Sequence, residues 1–170
     1  MIRSDKKLKE LASIFDKDNK HIIQAIELLR EEQPFEGAVG LLTIFFNKTD
    51  DQSIRKIILE FMNDLKDQSV VKEVITEIKK EWKTETLNML ISSCWQSGLD
   101  YSEYSLDLTE IFVRGDLTTA IECFTVIEGT IPELSLKRKE ELIKIIKESL
   151  HSQGEEKRSL SRELLSILGR

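Results

Sequence analysis

The fold class predicted by the sequence is all-α: a stack of about four antiparallel helix pairs, an α-solenoid, with an extra helix at each end. Three observations predict it. First, a helical apolar pattern recurs about every 32 residues. Ile22, Ile54, Leu87 and Leu117 open four matching segments, followed by Ala25, Ile57, Leu90 and Ala120, by Ile26, Ile58, Ile91 and Ile121, and by Leu29, Phe61, Cys94 and Phe124, in steps of 32, 33 and 30 residues. Second, another register lies between these segments in steps of 33 residues: Ala38, Val71 and Tyr104, then Leu42, Ile75 and Leu108, then Phe45, Ile78 and Ile111. Third, the chain is 40% hydrophobic and 33% charged, with only seven Gly and two Pro, and no segment alternates apolar and polar residues as a strand would. Self-similarity at a fixed period marks a repeat architecture, which supplies a surface rather than a reaction.

The elements follow from capping chemistry, because first-turn N–H groups need side-chain acceptors and a chain leaving a helix often turns left-handed. An N-terminal helix is predicted from about Ser4 to Phe15, with Leu8, Leu11, Ala12 and Phe15 on one face, within a capping segment over 1–16. The first pair covers 18–47: Asp18 opens one helix, and Pro34, which needs no N–H donor there, opens the next. The second pair covers 50–82, with Asp50 or Asp51 and then Asp67 as caps. The third covers 84–114, its helices ended by Gly98 and Gly115. The fourth covers 116–152: Asp116 opens it, Gly129 closes its first helix, and Ser135 begins the second after Ile131-Pro132. A last helix over 155–168 follows Gly154, with Leu160, Leu164, Leu165 and Leu168 on its apolar side.

Most of these helices carry one apolar stripe, but FEGAVGLLTIFF, from Phe35 to Phe46, is apolar on several sides. Such a helix must be covered on several sides. Either the N-terminal helix folds over it, or its free face binds a partner.

At 170 residues the chain suits one domain. No secretion signal or membrane-spanning run is read in it. Cys94 and Cys123 fall on neighbouring first helices, whose axes should lie about 8–10 Å apart, whereas a disulfide needs Cα atoms about 4.4–6.8 Å apart. Two reduced, buried thiols in a cytoplasmic protein are therefore expected. Net charge is −6, unevenly spread: residues 1–135 carry 16 basic and 25 acidic side chains, and 136–170 carry 9 and 6. An acidic body repels phosphate backbones, so no nucleic-acid partner is expected.

Asp51-Gln52-Ser53-Ile54-Arg55, followed by Ile57, Ile58 and Phe61, resembles the local pattern of the HEAT-like helical repeats, particularly their short bacterial form; Gly115-Asp116-Leu117, followed by Ala120, Ile121, Phe124 and Ile127, is a looser copy. The resemblance covers most of the chain, with larger aliphatics where the family more often has alanine, and without the proline that bends longer HEAT units. It implies a curved, right-handed α-solenoid (an alpha-alpha superhelix) whose second helices line a concave face. The tetratricopeptide and ankyrin signatures are absent.

Little here points to catalysis. His21 and His151 are expected near opposite ends of the stack, and neither completes a triad. No phosphate loop, His-Glu-x-x-His, Cys-x-x-Cys or calcium loop occurs. Asp50-Asp51 and Asp64 with Asp67 sit where helices begin or end, so capping explains them without a metal. Trp82, Trp95, Tyr101 and Tyr104 gather near Asp100, Glu103, Asp107 and Glu110, an arrangement similar to the base-holding groove of HEAT-like DNA glycosylases, but the basic track for DNA is missing. Register instead puts Trp95 in the place of Met62 and Tyr104 in that of Val71, both core positions.

The expected function is a non-catalytic protein-binding module or scaffold with no cofactor and no membrane attachment. The alternatives are a self-assembling structural element and, remotely, the glycosylase-like enzyme. If Ala38, Leu42 and Phe45 face inward, the groove ridge carries Thr43 and Asn47, then Glu73, Glu77 and Lys80, then Glu103, Asp107, Glu110 and Arg114, then Lys144 and Lys147. That mainly acidic surface suits a partner with a basic segment, bound by a monomer or weak homo-oligomer.

Overall fold

The computed structural model describes residues 5–32 and 35–170. Among them are ten α-helices and no strand, so the chain is all-α. It divides into two compact units, 1–99 and 100–170, with the boundary inside the third predicted pair.

In the first unit α1 (Asp5–Ile14) precedes α2 (Asn19–Glu31), α3 (Ala38–Lys48), α4 (Gln52–Asn63), α5 (Val71–Ile78) and α6 (Thr84–Gln96). The starts follow the capping logic. Asp18 accepts from the His21 amide at 3.1 Å, and Asp51 accepts from the Ser53 and Ile54 amides at 3.0 Å. Each carboxylate thereby satisfies a first-turn donor that has no partner within its helix. Asp67 caps only a 3₁₀ turn, Gln68–Val70, which leads into the eight-residue α5. Gly98 leaves α6 with φ of 68°, as its predicted stop position requires. The predicted starts at Ser4 and Pro34 lie outside the described residues.

Two layers form this unit. Helix α2 packs on α4 and α4 on α6, while α3 packs on α5. Ile26, Ile58 and Ile91 are fully buried between the members of the first layer, with Phe61 beside them. Polar ties join neighbours along that layer. Arg30 bridges to Glu60 at 3.0 Å and also to Asp64, Arg55 reaches Glu85 at 2.6 Å, and Asn19 donates to the capping carboxylate of Asp51 at 2.7 Å.

The second unit holds α7 (Ser105–Arg114), entered through a 3₁₀ turn at Ser102–Tyr104, then α8 (Leu117–Thr130), α9 (Leu136–Ser149) and α10 (Glu155–Leu168). Here α7 packs on α8 and α9, and α10 on α8 and α9. Asp116 caps α8 through the Thr119 amide at 2.8 Å, and Ser135 caps α9. Gly129 does not end α8; the helix runs through it to Thr130, whose hydroxyl donates to the carbonyl of Ile127.

The fourth repeat sits in a different register from the one predicted. Ile121, aligned with Ile26, Ile58 and Ile91, is 49% exposed, and Phe124 is only half-buried. The buried side of α8 holds Thr119, Ala120, Cys123, Val126, Ile127 and Thr130; Ala120 is buried as its register position predicted, and four of the others, Thr119, Cys123, Val126 and Ile127, lie 33 residues after Thr86, Leu90, Ser93 and Cys94 on the buried side of α6. The step is therefore 33 residues rather than 30. Both cysteines are buried free thiols.

Candidate docking surface

The predicted ridge residues fall into two groups, one in each unit. In the second unit Glu103, Glu110 and Arg114 are exposed at or on α7, with Asp107 half-buried, and Lys144 and Lys147 are exposed on α9. In the first unit only Lys80 is exposed. Glu73 is half-buried, and Glu77, expected to face solvent, is 4% exposed. The cause is a rotation of α5. Helices α3 and α7 bury Val39, Leu42, Thr43 and Phe46, and Ser105, Leu108, Thr109 and Phe112, sets that are 66 residues apart, whereas α5 buries Val71, Val74, Ile75 and Ile78, one residue earlier than that register demands. The shift turns Glu77 inward. In α3 the predicted face differs as well: Phe45 is only half-buried, and Thr43, placed on the ridge by the sequence, is fully buried with its hydroxyl on the Val39 carbonyl at 2.8 Å.

Glycines make room for the inward acids. Gly37 starts α3 with φ of 93° and offers no side-chain cap. Glu73 supplies that cap from α5, accepting from the Gly37 amide at 3.2 Å and the Gly40 amide at 3.1 Å. Burial pushes the Glu73 carboxyl up from its ordinary value; the two amides pull it back, and nearby Glu77 and Glu36 push it up again. A Cβ on Gly40 would lie 2.8 Å from Glu77 Oε1, so only glycine admits the carboxylate this close to the α3 backbone. Asn47, also assigned to the ridge, repeats the device in the other direction: its Oδ1 accepts from the Thr86 hydroxyl at 2.8 Å and the Lys83 amide at 3.3 Å, capping α6 from α3.

The many-sided apolar helix is partly covered by α1. Phe15 stacks on Phe45 with ring centroids 4.0 Å apart, Leu8 lies over Gly37, where a Cβ would approach it to 2.8 Å, and Lys7 sits 5.7 Å above the Phe35 ring. Coverage is incomplete. Ile44 remains 40% exposed and Leu41 half-buried. Two hollows of about 440 Å³ each share Ala12, Leu41 and Ile44 as lining; one extends to Phe15, Phe45 and Lys48, the other to Leu8, Gly40, Glu77 and Lys80. Together they form a trough along the α1–α3 seam whose apolar floor is flanked by Asp16 and Lys48 in one hollow and by Lys9, Glu77 and Lys80 in the other.

The aromatic group offers less. Trp82 donates its indole N–H to the Glu77 carbonyl at 2.8 Å, an anchor at the end of α5. Trp95, expected in the core, is 43% exposed on α6, while Tyr101 is buried and Tyr104 half-buried. His21 pairs with the capping Asp18 at 2.8 Å, and His151 is exposed. Among the described residues no group of three or more His, Cys, Asp or Glu is placed to hold a metal, and no helix is long and apolar enough to cross a membrane.

Sequence reasoning flagged the Phe35–Phe46 segment, with Ile44 and Leu41 off its main stripe, but drew the binding ridge elsewhere, and it missed Gly40 and the inward turn of Glu77. The available signal was two glycines inside an otherwise helical apolar run. No protein-family profile, curated protein or solved structure matches the chain.

Proposed function

We propose that this protein is a non-catalytic protein-binding module whose docking surface is the trough along α1 and α3. The observation that carries this reading is the uncovered apolar seam: Ile44 is 40% exposed between two hollows that share its side chain. Isolated exposed aliphatics are ordinary, whereas a concave apolar strip bounded by charged side chains is typical of interaction sites. The acids Glu103, Asp107 and Glu110 and the bases Lys80, Arg114, Lys144 and Lys147 then act as steering charges rather than as the contact itself.

The 33-residue period that continues from α6 to α8 supports a single HEAT-like, right-handed α-solenoid of about four helix pairs, and the buried reduced thiols suit the cytoplasm. The test of function is Ile44→Asp. Affinity capture from the cell that makes the protein, followed by mass spectrometry, should recover a partner with wild type and lose it with the variant, while circular dichroism and the melting temperature stay unchanged. Equal capture by both would move the docking surface to the acidic face of the second unit.

A further inference from the structure

Glu77 has features that the fold of the first unit does not use. Its Oε1 takes the Lys80 ammonium at 2.6 Å, while Oε2 is buried and has no hydrogen-bond partner among the described residues. A buried carboxylate oxygen without a donor is costly, and native proteins retain few of them without a reason. Glu77 also lines the hollow whose other walls include Leu8, Ala12, Leu41 and Ile44. Lys9 and Lys80 are the cations of that lining and Glu77 is its one carboxylate; an apolar wall beside a buried carboxylate complements a long aliphatic chain that ends in a cation, which is the shape and charge of a lysine side chain. Lys80 shows the mode from within the chain, but its side chain is half-exposed and it meets the carboxylate from the rim.

The hollow does not stand alone. It joins the second hollow across Ile44 and Leu41, so the trough follows α3, an eleven-residue helix about 16 Å long. That length suits an extended occupant with several side chains in contact better than a small amine. With paired helices on either side and no sheet edge among the described residues, the matching mode is a helix laid in a groove, with anchors at i, i+3 or i+4, and i+7.

Resting on the docking surface proposed above, we propose that the trough takes an amphipathic helix of a partner protein: its apolar stripe covers Leu41 and Ile44, and one of its lysines lies along the hollow and donates to the unpartnered Oε2 of Glu77, competing with Lys80 for the same carboxylate charge.

The probe is a fluorescein-labelled amphipathic peptide with leucines at helical spacing and a single lysine beside the stripe, together with its Lys→Met counterpart, titrated by anisotropy against the full chain. The expected result is saturable binding that weakens about tenfold or more with Glu77→Gln or with the methionine peptide, the size of a lost charge-assisted hydrogen bond. The two losses should not add, because they remove the same contact. Lys80→Ala removes the internal competitor and should tighten binding about threefold, and this gain reads the site even if Glu77→Gln folds poorly. Equal binding of the lysine and methionine peptides, abolished by Ile44→Asp, would overturn the lysine anchor and leave the docking surface standing. Absence of peptide binding would overturn the inference as well; if Ile44→Asp then also leaves native partner capture unchanged, the docking surface falls with it. A concentration-dependent dimer in sedimentation, lost in Ile44→Asp, would make a second copy the occupant and overturn the proposal.

Discussion

Asp18, Asp51 and Asp116 each stand one residue ahead of a helix and hold its first-turn amides, and because capping is local chemistry Asp18 and Asp116 were legible outright and Asp51 as one of the pair Asp50 and Asp51. Asp116 gives a test with a defined sign. Its carboxyl is held below its ordinary value, first by the Thr119 amide, then by the Thr119 side chain, with a smaller contribution from the Lys157 charge. A lowered folded value means stabilisation that is present above the unfolded carboxylate value of about 3.9 and is lost as pH falls through the folded value. Asp116→Ala should therefore cost about 1 kcal/mol at neutral pH in urea denaturation, and the gap from wild type should close below the carboxylate range. A gap that persists in acid would mean that the side chain acts by something other than its charge. Glu73 was misread at the same scale. Its amide partners, Gly37 and Gly40, come from another helix 36 and 33 residues away, and no spacing rule reports an acceptor that arrives from so far.

Helix α1 shows how an element can be read from its apolar face while its job depends on what that face meets. The stripe Leu8, Leu11 and Phe15 was legible as a cover for the open side of the first repeat, and Leu8 on Gly37 and Phe15 on Phe45 bear out that part. Its narrowness was not legible. A ten-residue helix with one buried side chain, Leu11, cannot cover a helix that is apolar on several sides. Deleting residues 1–16 should lower the melting temperature and raise binding of an apolar dye, since Phe45 and Gly37 lose the side chains over them. An unchanged melt with no added dye binding would show that α1 covers nothing the first unit needs. Helix α8 illustrates the opposite error. Matching Ile121 to Ile91 by hydrophobicity gave a step of 30 residues, whereas Thr119 and Cys123, less apolar and less conspicuous, are the residues in register with Thr86 and Leu90. Caps keep the count better than side-chain size, because a cap fixes the helix start and apolar residues also occur on exposed faces.

At the scale of the whole chain, charge is the property that composition reports most directly. The excess of acid over base and the all-α class were both readable, while the division after Leu99 was not, since neither a glycine-rich linker nor a composition change marks it. Glu103, Asp107 and Glu110 lie within one short stretch of the second unit, and none of the three is buried. Reversing all three to Lys should leave the helical circular dichroism intact and slow association with a basic partner, with most of the difference disappearing at high salt. A partner that associates at the same rate at low salt would remove these acids from any steering role. Glu77 does not belong in that set, because a lysine there would bury its ammonium beside Gly40.

The polar ties of the first unit also set the order in which it can assemble. Asn19 to Asp51, Arg30 to Glu60, Arg55 to Glu85, Gly37 to Glu73 and Asn47 to Thr86 join residues only 30 to 39 positions apart. Loops of that size cost little more to close than shorter ones, since closure entropy grows only with the logarithm of length. Each of these ties can therefore close once the next repeat is present. Folding can spread from neighbour to neighbour during synthesis without waiting for the C-terminus, which favours speed over a late, all-or-none collapse.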